Sequence, residues 1–429
     1  MGAPDVIVVG SGLAGLRAAT DLTAAGQEVL VLEARGRAGG RVWSHHLAHG
    51  QWCERGAEFV DTAHVEVLTL ADRLGIARTP VTAGRDDRVR LLDTGGRAVP
   101  FAFHHSLVDE LVTWGRVLDD LAARAGREGP DTGADAAALD ALPLAALVQQ
   151  LDLGLLARIV IGRDIRSAHM LPPDEVSQLM AGWMEALRRE SGDGVASIRL
   201  AGGNDQLAAG LAAPLGARVQ YGAHVLTLDP DTATVLLESG ERLTAAQLVV
   251  TVPLPVLGRL WSGIPTELSR IGYGRGGKVS VQFERRIWHD YGRDGSVRTE
   301  RSWGELWDST DGQPGDAGVL TALLSSGDGA AMVALPDTVG RIVDEMDRIF
   351  PGARGLAGER VRTDWTDDPL SLGSYATFGP GQLLPAWPLM RERYGRMLLA
   401  GEHTDRWAGS MEGALRSGAR VAQAVLAAA

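Results

Sequence analysis

The chain reads as an α/β protein of about two interleaved domains, and three observations say so. Its 429 residues exceed what one small core organises. It opens on a strand, a glycine turn, a helix, a second strand and an acid in close succession. Beyond that, strand-like and helix-like apolar runs continue to the C-terminus without repeats or a low-complexity linker, so no clean boundary separates the domains. Composition agrees. With 45% hydrophobic and 22% charged residues the chain is ordinary for a globular protein, which excludes a disordered chain, a collagen and a disulfide scaffold.

Asp5-Val6-Ile7-Val8-Val9 is a short β-branched run suited to a buried parallel strand. Gly10, Gly12 and Gly15 follow as G-S-G-L-A-G, and apolar residues recur at helical spacing through Leu16, Ala19 and Leu22 to a stop at Gly26. A second strand, 29–32, ends at Glu33. This order is that of a dinucleotide-binding βαβ unit. The first glycine makes the turn, the second admits a pyrophosphate and the third lets helix and strand close. The helix N-terminus offers unpaired N–H groups to phosphate, and Glu33 is placed to accept hydrogen bonds from a ribose.

The later elements follow in order. Residues 104–126 and 135–160 read as helices, parted by a Gly/Pro/Asp break at 126–133. Pro172-Pro173-Asp174-Glu175 reads as the start of a helix running through Met184 and Leu187. Gly202-Gly203 introduces a helix over 204–213. Val219, Val225 and Leu228 fall in short strands, and 248–252, 278–283 and 319–324 are further strands. Pro- and Gly-rich turns fill 369–388. A buried strand over 397–400 then meets Gly401-Glu402, and a last helix spans 411–427.

A net charge of −12 without a basic run leaves no electrostatic footprint for nucleic acid or an anionic membrane. No apolar run is long enough for a membrane helix, and 6–9 is too short for a signal-peptide core. The one cysteine, Cys53, forbids an internal disulfide and fits a reducing compartment, so a cytoplasmic location is expected. His45, His46, His104 and His105 form two pairs without metal-ligand spacing, and no metal site is expected. Lys278 is the one lysine, every other basic side chain being arginine. Arginine keeps its proton, whereas a buried lysine is a compact donor whose pKa can move.

After Glu33 come Ala34-Arg35-Gly36-Arg37-Ala38-Gly39-Gly40-Arg41, a second glycine pair followed by a planar cation that suits a diphosphate. The block D-x-I-V-V-G-S-G-L-A-G-L, then V-L-E-A-x-x-R-x-G-G-R, resembles the FAD-binding signature of the flavin amine oxidase superfamily. Phytoene-type desaturases, protoporphyrinogen oxidases and the flavin-free Rab GDP-dissociation inhibitors have similar blocks. The C-terminal run Leu399-Ala400-Gly401-Glu402-His403-Thr404, then Trp407-Ala408-Gly409-Ser410-Met411-Glu412-Gly413-Ala414, is similar to the closing motif of monoamine and polyamine oxidases.

The resemblance implies an FAD-binding Rossmann-like domain of the glutathione-reductase-2 type interleaved with an α+β substrate domain. The first would comprise 1–80, 200–256 and 395–429, the second 81–199 and 257–394. It implies cofactor contacts from Gly10, Gly12, Ala14 and Gly15, from Glu33, Ala34 and Arg35, and from Gly40 and Arg41. Further contacts would come from Gly56, Ala57 and Glu58, from the Val225 backbone and from Trp365. Gly401, Glu402, Ser410, Met411 and Ala414 complete the set, with the N–H groups at the start of the last helix facing the flavin. Lys278 matches a lysine that reaches flavin N5 through water.

Ser374-Tyr375 resembles the monoamine oxidase segment that carries the flavin-linking cysteine and the first tyrosine of an aromatic cage. Ser374 stands at the cysteine position, which implies non-covalent FAD. Tyr375 matches the cage tyrosine, Ser410 the second cage position, and Trp407 would supply the other wall. Phe59 stands where L-amino-acid oxidases of the snake-venom type have a carboxylate-binding arginine, which counts against an amino-acid substrate. Glu58 and Glu185 either meet a second cationic group on a polyamine or serve as structural acids. The expectation is an amine oxidase that takes a small-molecule amine and O2, with no membrane partner and with a homodimer as one possible assembly. A C–C desaturase, an L-amino-acid oxidase and a flavin-free binding protein are the competing readings.

Overall fold

A computed structural model describes residues 3–81, 89–96, 98–100, 105–190 and 197–428. His104 lies outside them. A six-stranded sheet carries the N-terminal motif, with the strand Val6–Val9 at its centre. Val29–Glu33 and then Val219–Tyr221 lie on one side of it, and Gln247–Val250, Met397–Leu399 and Arg393–Tyr394 on the other. All pair in parallel except the edge strand Arg393–Tyr394. Val6 to Val9 are buried on both faces, as a central parallel strand requires. The helix Leu13–Ala24 packs against the last helix, Met411–Leu426. Their approach is so close that a Cβ on Gly418 would lie 2.3 Å from the Ala14 carbonyl.

A seven-stranded sheet forms the second layer, in the order Ala357–Asp364, Gly276–Phe283, Gly318–Ser325, Glu305–Asp308, Arg293–Thr299, Val89–Asp93 and Ala98–Pro100. The run Lys278-Val279-Ser280-Val281-Gln282-Phe283 alternates polar and apolar residues, and the sheet sorts them by face. Val279, Val281 and Phe283 pack with Ile342, Val343, Met346 and Phe350. Lys278, Ser280 and Gln282 point the other way, where Ser280 meets Thr321 and Gln282 meets Gln51. In register, Lys278 sits opposite Leu323, Leu323 opposite Glu305, and Glu305 opposite Arg298. These four therefore form one row across a single sheet face, each step about 4.8 Å.

The structure departs from sequence expectation in three helical regions. The 135–160 stretch is three helices, Ala136–Asp140, Leu144–Gln150 and Leu155–His169, because Pro143 and Gly154 occupy extended N-cap positions that restart the chain. The helix expected from Pro172 begins at Gln178. Residues ahead of it are diverted into tertiary pairing, with Leu144 N donating to Val176 O and Ser177 N to Phe378 O. Ser177 Oγ accepts from Met180 N and caps the late start. The turn-rich 369–388 region contains a helix, Leu383–Leu389. Asp140 stabilises it by accepting from the N–H groups of Leu383 and Leu384.

Candidate active site

The first glycine turn and the later Gly39-Gly40 turn form one cradle. Gly39 N donates to Ser11 O at 2.9 Å, and Gly12 and Gly39 bridge in parallel. Gly10, Gly39 and Gly40 all have positive φ, which side chains rarely adopt. Arg37 holds the second turn by donating to the carbonyls of Ala38 and Gly40. A Cβ on Gly15 would lie 2.0 Å from Gly10 O, so Gly15 is needed for packing and is not among the residues lining the cleft. A Cβ on Gly12, by contrast, would meet nothing within 4 Å. That open space lies at the N-terminus of Leu13–Ala24, where no side chain caps the N–H groups and no acid occupies the first turn. An anionic diphosphate fits this arrangement.

At the end of the second strand Glu33 is fixed by donors. Its Oε2 accepts from Ser11 N and Oγ at 2.8 Å, and its Oε1 from Arg35 N at 2.8 Å. Ala223 N donates to Glu33 O, which brings Val225 beside it. The Arg35 guanidinium clamps both oxygens of Asp368, at 3.0 and 2.7 Å. Arg41 departs from a simple diphosphate fork, because its Nη1 donates to Ser374 O at 2.7 Å and to Glu402 Oε1 at 2.9 Å. Glu402 also accepts from Ala376 N and Gly409 N, so this buried acid ties the C-terminal motif to the Arg41 loop. Ser410 is the N-cap of the last helix: its Oγ accepts from Gly413 N and donates to Trp407 O. Trp365 covers Gly56 and donates from Nε1 to Arg55 O at 3.0 Å.

These groups line one continuous cleft of about 1210 Å³. It runs from Gly12, Ala14, Ala34, Gly40, Val225, Gly401, Met411 and Ala414 to Gly56, Ala57, Glu58, Lys278 and Tyr375. Trp407 is not among its lining residues. That ring meets His64 edge-on at 5.1 Å, behind the Ser410 cap, so it does not form the second wall expected of it. Glu185 also lies away from the cleft, paired with Arg188 and Arg189 on its own helix. Tyr375 is held rigidly. Its hydroxyl donates to Ser167 O and Ala168 O, while Gly409 lets its ring approach to 3.1 Å of where a Cβ would be. Burial raises the Tyr375 phenol well above its ordinary range.

Lys278 uses three donors where the sequence suggested a lysine holding water. Its Nζ donates to Gly56 O at 2.9 Å, Glu54 O at 3.3 Å and Glu58 Oε2 at 2.8 Å. It also lies 5.2 Å from the centre of the Trp307 ring. An ammonium has three protons to give, so the side chain is saturated by the loop that carries Gly56 and Glu58. Burial works to raise the Glu58 carboxyl, but Lys278 and Arg199 outweigh it and hold it below the usual range. Glu58 also accepts from Trp307 Nε1 at 2.8 Å. Nearby, burial pushes the Glu54 carboxyl up to about 8 despite hydrogen bonds from Asn204 N and Ser44.

Arg199, Trp307, Asp308 and Asp368 were not anticipated from the sequence. With 42 Lys and Arg residues in the chain, nothing local distinguishes Arg199. Pairing of the strand Ile198–Leu200 with Arg78–Pro80, and of Ile198 with Val60, brings it to the cleft. His45 Nε2 is hydrogen-bonded to Glu359 at 2.7 Å, away from this site. Among the described residues no helix is long and apolar enough to cross a membrane.

Comparison with known proteins agrees with this geometry. Residues 13–426 match the profile of flavin-containing amine oxidoreductases. The chain is 26% identical to an L-amino acid dehydrogenase of Synechocystis sp., over 98% of this chain and 94% of that one. A putrescine oxidase structure with putrescine bound superposes with a TM-score of 0.87 at 26% identity, covering 99% of each chain. Cyclohexylamine oxidase from Brevibacterium oxydans gives 0.88 at 25% identity, again over 99% of each. The chain therefore belongs to the flavin-containing amine oxidoreductase family, whose cofactor is FAD.

Proposed function

We propose that this protein oxidises a small-molecule amine to an imine, which water hydrolyses to a carbonyl compound, with O2 as the final acceptor. Bound FAD supplies a hydride acceptor at N5 for the amine α-carbon and an electron route to O2 that yields hydrogen peroxide. The observation that carries this reading is the single cleft joining the Gly12 cradle to Tyr375, Lys278 and Glu58. The Tyr375 ring, fixed by its two backbone acceptors, offers an amine a π face and a steric wall. Lys278 fixes the Gly56–Glu58 loop along the cleft through its three hydrogen bonds. A panel of amines tested with peroxide detection on the purified yellow protein decides the matter. Peroxide and a matching carbonyl compound are expected from at least one amine. Oxidation confined to C–C bonds, without release of nitrogen as ammonia or an amine, would favour a desaturase.

The FAD is held without a covalent link. Ser374 lines the cleft with an unpartnered Oγ, and it stands where the resemblance puts the linking cysteine. Cys53 is 1% exposed on the strand Trp52–Glu54 and is not among the residues lining the cleft, and burial pushes its thiol up to about 12. Acid or heat precipitation is therefore expected to leave the yellow colour in the supernatant. Colour that stays with the precipitated polypeptide would show a covalent attachment.

A further inference from the structure

We infer that Met170 limits the bulk of the amine that reaches Tyr375, and is a specificity-determining residue of this site. This rests on the amine-oxidase reading above. Met170 ends the helix Leu155–His169 at φ 54° and ψ 19°, in the left-handed region. Helices commonly end on such a residue, but glycine takes that conformation freely, whereas a side chain crowds the backbone there. The chain has 55 glycines, yet methionine holds this position. Backbone strain alone would favour glycine, so the side chain has a use. Its place suggests which one, because Met170 lines the cleft although it is only 3% exposed. Strained residues of this kind gather at ligand sites.

The surroundings are shaped around it. A Cβ on Gly274 would lie 2.4 Å from Met170 Cβ, and one on Gly276 would lie 3.0 Å from Met170 Cε. Two glycines therefore leave room for the whole length of the side chain. Gly276 opens the strand that carries Lys278 two residues further on, about 7 Å away. The other flank is Tyr375. Its hydroxyl donates to Ser167 O and Ala168 O, and Thr377 Oγ1 donates to His169 O. The last three carbonyls before Met170 are thus all held by the segment that carries Tyr375. Arg275 N donates to Met170 O at 2.9 Å, and Gly274 N to Tyr375 O at 2.8 Å, which ties the same pieces together from the other side. Met170 is fixed between Tyr375 and the start of the Lys278 strand, and its side chain borders the space between them. A substituent on an amine that faces the Tyr375 ring must share that space. The thioether is flexible and fills such gaps by adjusting its rotamer, so shortening it widens the space and a rigid ring in its place closes it.

The test measures kcat/KM of the holoenzyme for butylamine, benzylamine and naphthylmethylamine. The parent is expected to favour the slimmer amines. In Met170→Ala the ratio of naphthylmethylamine to butylamine should rise on the order of tenfold, the scale on which an apolar pocket discriminates small changes in size. Met170→Phe should lower that ratio by a similar factor. Met170→Gly frees the backbone as well, and should share the alanine variant's tolerance of bulk if the side chain is what matters. Amines whose α-carbon bears no hydrogen cannot give up a hydride, so titration with tert-butylamine and cumylamine, followed through the flavin absorbance, reads the same space without turnover. Cumylamine should gain on tert-butylamine in Met170→Ala. FAD content and melting temperature report folding, and the alanine and glycine variants decide if Met170→Phe does not fold. Ratios within about twofold of the parent in every folded variant would overturn the inference, against the tenfold expected. Lower stability with unchanged ratios would do the same, and would make Met170 a packing residue of the helix end. A parent that takes naphthylmethylamine best overturns it too, while leaving amine oxidation intact. If the parent oxidises none of the three, the amine-oxidase reading fails, and the binding of cumylamine against tert-butylamine alone decides the role of Met170.

Discussion

Gly12→Val is expected to give a folded but colourless protein. Gly12 has φ −68° and ψ 174°, an extended conformation that valine adopts without strain. A Cβ there meets no protein atom within 4 Å, so the apoprotein accommodates the change. The same space lies over the uncapped N–H groups of Leu13–Ala24, where a diphosphate must approach the backbone. Added methyl groups and the diphosphate therefore exclude each other. Neighbouring glycines make poorer tests, because a Cβ on Gly56 would lie 1.8 Å from the Arg41 carbonyl and would disturb the fold itself. FAD content and the melting temperature of the apoprotein, measured together, separate the two effects. A Gly12→Val protein that retains FAD with parental affinity would mean that the dinucleotide binds elsewhere.

Lys278→Met is expected to slow flavin chemistry on the order of 10²–10³-fold, because it releases the Gly56–Glu58 loop that lines the cleft and so misplaces polar groups at the reacting centre. Methionine is close to lysine in length and keeps the packing against Trp307. What it removes are the three hydrogen bonds to Gly56 O, Glu54 O and Glu58. Glu58 stays neutralised by Arg199 and hydrogen-bonded by Trp307, so the buried acid is not left without partners. Arginine is a poor replacement, because its wide fork cannot reproduce three contacts from one nitrogen. Stopped-flow measurement of reduction by the amine and of reoxidation by O2, with FAD content and thermal stability alongside, assigns the effect. Rates within about twofold of the parent in both half-reactions, against the 10²–10³ expected, would make Lys278 a structural residue.

The N-terminal βαβ unit was legible because its signals are local. A β-branched run, three glycines and a terminal acid occupy neighbouring positions, and each maps to one backbone requirement. Lys278 was legible for a different reason, since a lone lysine among arginines stands out in the composition itself. What stayed hidden depends on distant pairing. Arg199 reaches the cleft through the pairing of Arg78–Pro80 with Ile198–Leu200. Trp307 reaches it through the pairing of Glu305–Asp308 with Gly318–Ser325. Trp407 misled in the opposite direction. Its motif neighbours line the cleft, but the Ser410 cap turns the chain there, and the indole packs on His64 instead. The late start of the helix Gln178–Glu190 has the same origin, because Ser177 is claimed by Phe378 from far along the chain.

Anaerobic mixing of the holoenzyme with its best amine substrate isolates the transfer of electrons from amine to flavin. Without O2 only one turnover is possible, so flavin bleaching and product release can be counted against each other. Loss of the flavin's visible absorbance is expected, with one carbonyl compound and one ammonium or amine released per flavin, and the colour should return with peroxide once O2 is admitted. Bleaching without a carbonyl product, or no bleaching by any amine in a protein that dithionite still reduces, would rule out amine oxidation.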